Sequence, residues 1–174
     1  MELLLKWDQQ LFQLINETLH NSFAFTFFSA ITNVADIAVF FLTVFFIYAL
    51  ISKTKAKTTK IIFNVLTPVF IVFVITVILK LIIQRPGPEA FVRPWPEFSP
   101  FPWHYAFPSG HTSRAFAFAV VLGQQLPMWR WPLLGAASLI GFSRIYIGAH
   151  FPADVIAGAL LGVLVVFLFK KLHK

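Results

Sequence analysis

His150 and Asp154 stand four positions apart in the run Ser143-Arg144-Ile145-Tyr146-Ile147-Gly148-Ala149-His150-Phe151-Pro152-Ala153-Asp154. An imidazole beside a carboxylate is a nucleophile beside its orienting acid. Pro152 suits the first turn of a helix, so the last helix is predicted to begin there, with Asp154 in that turn and within hydrogen-bonding reach of the His150 ring. A carboxylate so placed fixes the tautomer, leaves the other ring nitrogen free to attack, and stabilises the imidazolium form. Arg144, six positions before the histidine, adds a planar fork matched to phosphoryl oxygens. A loop with a helix-capping acid and an unrelated histidine would read the same way in isolation, but two further segments weigh against that.

The first is Pro108-Ser109-Gly110-His111. Ser109 is predicted to cap a helix, so Gly110 and His111 fall in its first turn, where backbone N–H groups favour an anion. His111 is then placed to give a proton to a departing oxygen. The second is Lys80, a lone cation at the end of a run of Val, Ile, Phe and Leu, followed by Arg85-Pro86. Ionisable residues in such surroundings are costly and usually serve function, although a lysine near a helix end can also snorkel to the surface.

The elements that must hold these side chains follow from composition. Of 174 residues, 58% are hydrophobic, 22 are Phe and only 12% are charged, too apolar for an ordinary soluble domain. The formal charge of +7 comes from lysines and arginines gathered at the ends of apolar runs, a topology signal and not a nucleic-acid patch. Cysteine is absent, which removes disulfides and thiolate metal sites. Apolar runs cover 35–52, 61–83, 110–127 and 153–170, with a shorter one at 132–147 interrupted by Ser138 and Gly141. Runs approaching the bilayer thickness must satisfy their backbone internally and are predicted as helices. The Phe-rich stretch 22–34 also carries Ser22, Thr26, Ser29, Thr32 and Asn33, and reads as a short membrane-dipping helix or as the start of the next span.

Residues 2–19 put Leu4, Leu5, Leu11, Leu14, Ile15 and Leu19 near one helical face, with Asp8, Gln9, Asn16 and Glu17 elsewhere. That suits a helix lying in the interface, anchored by Trp7. Lys6 followed by Asp8 and two glutamines does not suit a cleavable signal peptide. The fold expected is an all-α polytopic membrane bundle, one domain over 1–174, with five or six transmembrane helices plus an N-terminal interfacial helix. Residues 1–34 form the interfacial region and 80–154 hold the motifs. In the five-span count Lys53, Lys55, Lys57, Lys60, Arg130, Lys170, Lys171 and Lys174 share one side, cytoplasmic by the positive-inside rule. Lys80, Arg85, His111, Arg144 and His150 then face the extracytoplasmic side of a cell membrane, and a sixth span leaves them there.

Taken in order, Lys80, Arg85-Pro86, Pro108-Ser109-Gly110-His111 and Arg144 with His150 and Asp154 resemble the type 2 phosphatidic acid phosphatase (PAP2) superfamily, which also contains bacterial acid phosphatases and vanadium haloperoxidases. The resemblance covers residues 80 to 154. It implies that His150 attacks phosphorus to give a phosphohistidine, that Asp154 orients it, and that His111 protonates the leaving group. Lys80, Arg144 and the Ser109-Gly110 backbone then hold the phosphoryl oxygens. Such catalysis is mostly positioning and charge stabilisation, and no metal or other cofactor is expected. One position departs from the pattern. The family's lysine is followed, after six intervening residues, by Arg-Pro, and here that position is Gly87. Arg85 stands two residues early and Arg93 six residues late, and Arg85 is the first candidate for the missing charge.

Between the motifs, residues 89–105 are dense in proline and aromatics, a composition suited to a stiff rim at headgroup depth or to a simple aromatic anchor. Arg93, His104 and Arg114 are candidate headgroup contacts. The function expected is an integral-membrane lipid phosphatase working on a phosphomonoester or diphosphate, undecaprenyl diphosphate first. Phosphatidylglycerophosphate, phosphatidic acid and lipid A phosphates are close rivals. A vanadate-dependent peroxidase and a non-catalytic lipid-binding or transport protein are the readings of other classes. The partners expected are the lipid substrate and the bilayer, with no nucleic acid, and the sequence carries no signal of oligomeric state.

Overall fold

The computed structural model describes residues 2–34, 56–88 and 105–173. Among these the chain is all-α. Helix α1 (Glu2–Gln13) runs into a π-helical turn over Leu14–Thr18, and α2 (Ser22–Val34) and α3 (Ala56–Ile83) follow. After the described part of the connection come α4 (Gly110–Gln125), α5 (Arg130–Tyr146) and α6 (Pro152–Leu172). The runs predicted at 61–83, 110–127, 132–147 and 153–170 are thus helices, because a long apolar run has no other way to satisfy its backbone in lipid. The run 35–52, the aromatic loop 89–104, Arg93 and His104 lie outside the described residues. The stretch 22–34 is a helix in its own right, started by Asn21, whose Oδ1 accepts the Ala24 N–H at 2.8 Å.

Helices α3, α4 and α6 share one core, in which Val69 and Val72 meet Ala117, Val121, Val165 and Val166. Two glycines of α6 set how closely it lies on α4. A Cβ on Gly158 would stand 2.6 Å from the Ser109 carbonyl oxygen, and one on Gly162 would stand 2.3 Å from that of Ser113. Small residues let backbones meet where no hydrophobic effect drives helices together. Hydroxyls buried in the same layer are paired, Thr76 with Ser113 at 3.1 Å and Thr112 with Ser109 at 2.9 Å, as an apolar surround demands. The opposite faces of α3 and α6 are apolar and exposed, with Phe70, Ile78, Ile82, Leu160 and Phe167 outermost. α3 and α6 are long and apolar enough to cross a membrane.

The first helix corrects the sequence reading. Leu3, Leu5, Leu11 and Leu14 point away from the protein, while Asp8, Phe12 and Ile15 are buried. Phe12 and Ile15 pack with Ile145 and Tyr146 of α5 and with Phe151, and Asn16 Nδ2 donates to the Tyr146 carbonyl at 2.7 Å. The Tyr146 hydroxyl donates to the Leu19 carbonyl at 2.8 Å and accepts the Asn21 N–H at 3.1 Å. A Thr32–Ser143 hydroxyl pair at 3.0 Å joins α2 to α5. Where lipid is the solvent, a leucine stripe can be the outer face, and here the packed stripe is the mixed set Asp8, Phe12 and Ile15, while Gln9 and Glu17 stay exposed.

Candidate active site

The end of α3 carries the first two basic residues. Lys80 lies in its last turn, nearly buried, and its ammonium donates to the Tyr105 carbonyl. After Ile83 the helix stops at Gln84, which adopts φ 49° while its N–H returns to the Lys80 carbonyl at 3.0 Å, an αL closure of the kind that ends helices. The chain then runs antiparallel to the segment before α4. Pro86 pairs with Tyr105, and the Ala106 N–H donates to the Arg85 carbonyl at 2.8 Å. The first two motif segments are therefore tied through backbone.

The third segment is folded on Arg144, at the end of α5. Its carbonyl accepts the N–H groups of Ala149 at 3.0 Å and His150 at 3.1 Å. Gly148, at φ 81°, makes the turn between them, a conformation that costs glycine little and other residues much. α6 begins at Pro152, as predicted. Asp154 closes the turn by accepting the Phe151 N–H at 2.9 Å on Oδ2. The Ser109 N–H donates to the Asp154 carbonyl at 3.0 Å, so the second and third segments are also joined.

This bond changes one expectation. Ser109 does stand at the cap position of α4, but its side chain makes no capping bond and its N–H is used on Asp154. An anion above this helix would meet the amides that follow Ser109. His111 occupies the first turn of α4. Arg114, one turn on, has its guanidinium 5.9 Å from the Phe73 ring centre, with Nη1 beside Gly110.

His150 and Asp154 are both buried, and Nδ1 of the ring lies 3.7 Å from Asp154 Oδ2. That is longer than a hydrogen bond, and Nδ1 has no other partner. Contacts of catalytic dyads are often long before substrate binds. Burial lowers the His150 pKa to about 3, aided by the positive charges of Arg144 and Lys80 and opposed by Asp154. The ring is therefore neutral near pH 7, the form that can attack.

Asp154 spends its other oxygen on Arg85, whose Nη1 donates to Oδ1 at 2.6 Å. Arg85 Nη2 reaches Asp8 Oδ2 at the same distance, and Asp8 Oδ1 accepts the Ala153 N–H at 2.7 Å. The sequence reading had Arg85 as a phosphate ligand and Asp8 on the polar face of an interfacial helix. In the structure Arg85 bridges two carboxylates. The missed signal at Asp8 is an acid on a helix whose leucines face outward, since an acid turned toward the protein needs a partner.

A family model described as the PAP2 superfamily matches residues 57–174. The chain belongs to the PAP2 superfamily. Among curated relatives, this PAP2 protein is 41% identical over 102 residues to an undecaprenyl-diphosphatase of Sulfolobus acidocaldarius, covering 55% of this chain and 49% of that one. It is 40% identical over 68 residues to a lipid A 1-phosphatase of Rhizobium etli, 37% of this chain and 29% of that one. It is also 36% identical over 95 residues to phosphatidylglycerophosphatase B of Bacillus subtilis, 47% of each. It thus spans half or less of the length of these relatives. Among solved structures, Aquifex aeolicus LpxE superposes with a TM-score of 0.69 at 30% identity over 94% of both chains. A transmembrane PAP2-type phosphatidylglycerolphosphate phosphatase of Bacillus subtilis gives 0.73 over 99% of this chain and 87% of that one, and at 22% identity this shows the fold alone. The PAP2 protein has the helical fold of these enzymes and is a membrane protein.

Proposed function

We propose that this PAP2 protein hydrolyses a lipid phosphate or diphosphate at the extracytoplasmic face of a cell membrane, through a phosphohistidine on His150. The observation that carries the reading is the buried imidazole with Asp154 on its Nδ1 side, Oδ2 at 3.7 Å, and the charges of Arg144 and Lys80 near enough to act on it. His150 Nε2 forms the bond to phosphorus while the bond to the leaving oxygen breaks, and His111 gives that oxygen a proton. Water then attacks phosphorus as the Nε2–P bond breaks, His111 takes the water's proton, and phosphate leaves with the His150 ring restored. Lys80, Arg144 and the amides at the start of α4, Gly110 among them, bind the phosphoryl oxygens that gain charge. Arg114 is a headgroup contact beside them. In this reading helices α3 to α6 each cross the membrane, and α1 lies at its surface, packed against α5 and the start of α6.

Undecaprenyl diphosphate is the substrate favoured, supported by the likeness to the undecaprenyl-diphosphatase of Sulfolobus and to a second one, from Bacillus subtilis, 38% identical over 64 residues. Phosphate release by purified protein in EDTA, from undecaprenyl diphosphate, phosphatidylglycerophosphate, phosphatidic acid and lipid A, tests both mechanism and substrate. We expect release without added metal, fastest from undecaprenyl diphosphate, inhibited by vanadate and lost in His150→Ala. Release unchanged in His150→Ala sinks the phosphohistidine, a faster lipid A reaction moves the substrate, and lipid binding with no release from any of them makes the protein a binder.

A further inference from the structure

The reaction above uses His150, Asp154, His111 and the cations around them, and leaves one buried acid among the described residues without a role. Asp8 sits on α1, at the far end of the sequence from the motifs, with its side chain 6% exposed. Both of its oxygens point into the site's framework. Oδ2 takes Arg85 Nη2 at 2.6 Å and Oδ1 takes the Ala153 N–H at 2.7 Å, one residue before Asp154. The same guanidinium gives Nη1 to Asp154 Oδ1 at 2.6 Å and lies 4.6 Å from the centre of the Phe151 ring, which Phe12 of α1 meets edge-on at 5.2 Å. Asp8, Arg85 and Asp154 with the first turn of α6 thus form a closed ring of charge-assisted bonds. Such bonds are short, directional and strengthened by exclusion of water.

We infer that Asp8 is a positioning residue for phosphoryl transfer, acting through Arg85 on the carboxylate that orients His150. This rests on the phosphohistidine reading given above. Asp154 has two oxygens and three claimants, namely Arg85, the Phe151 N–H and the His150 ring. Arg85 determines how Oδ1 is held, and hence how Oδ2 turns toward Nδ1. Arg85 is in turn held from behind by Asp8, so the catalytic carboxylate is set by a helix that contributes no motif. A residue that only stabilised the fold would not need both of its oxygens on groups flanking Asp154.

A double-mutant cycle on the full chain tests this, with phosphate release from undecaprenyl diphosphate and the thermal midpoint in detergent both measured. Asp8→Asn keeps an acceptor for the Ala153 N–H and removes the charge that holds Arg85. We expect it to lower kcat about tenfold, as small misplacements near reacting groups do, with KM within about twofold. In an Asp154→Asn background, on the residual activity, the same change is expected to cost nothing further, because the carboxylate it acts on is gone. Wild-type kcat in Asp8→Asn overturns the inference, and so does an equal loss in both backgrounds, which is what a structural role gives. If Asp8→Asn does not fold, Asp8→Glu takes its place in the cycle with the same two outcomes deciding. Full activity in Asp154→Asn and His150→Ala would instead remove the mechanism itself, a separate result.

Discussion

Asp154 carries out three tasks with two oxygens: it caps α6 on Phe151, pairs with Arg85 and faces His150. Asp154→Asn keeps the shape and is expected to lower kcat by a factor of about 10² to 10⁴, since the imidazole loses its orienting charge. A stability signature follows from His150. Its folded pKa, near 3, lies below the ordinary value of 6.5, so the unfolded chain takes up a proton that the folded one refuses. The contribution is full above pH 6.5 and is lost as pH falls from 6.5 toward 3, at about 1.4 kcal/mol per unit. Thermal midpoints between pH 6.5 and 4 should therefore fall less steeply in His150→Gln than in the parent, and equal slopes would show the ring is not buried neutral. The His150–Asp154 pair and the helix start at Pro152 were legible because they lie within five residues and obey local helix rules. The Arg85–Asp8 bond, 77 residues apart, has no local pattern to read.

At the scale of elements, the α4–α6 crossing fixes where the two motif histidines sit, because Ser109 and Asp154 meet there and Gly158 and Gly162 allow it. Gly162→Ala would push a methyl group onto the Ser113 carbonyl and is expected to cost about 1–3 kcal/mol, seen as a lower thermal midpoint, with reduced kcat. Gly135→Ala is the control. A Cβ added there would meet nothing within 4 Å beyond its own stretch of helix, so the change should stabilise slightly, by up to about 1 kcal/mol, through helix propensity. Equal effects would mean the glycines do not set the crossing. Hydropathy located α3 to α6 to within a few residues, since bilayer physics dictates their length and helical form. The same signal gave α1 its helical form but not its packed face, because Leu5 and Leu11 are as content in lipid as in a core: Ile15 of the leucine group is buried and Gln9 and Glu17 of the polar group are exposed.

For the molecule as a whole, the proposal to test is sidedness. The absence of cysteine makes any introduced thiol a clean reporter. A membrane-impermeant maleimide should label Gly87→Cys in intact cells and Lys171→Cys only in inverted vesicles, as the clustering of lysines predicts. The reverse pattern would move the site to the cytoplasm.

One hydrogen bond also has a meaning in time. Asp8 meets the Ala153 N–H across 145 residues of sequence, so α1 leaves the ribosome long before its partner exists. Every motif segment but the last can be inserted while Asp8 still waits, and the ring closes only when the start of α6 arrives. A nascent chain is therefore catalytically incomplete until the start of α6 has been made, and α1, made before every motif segment, docks after most of them.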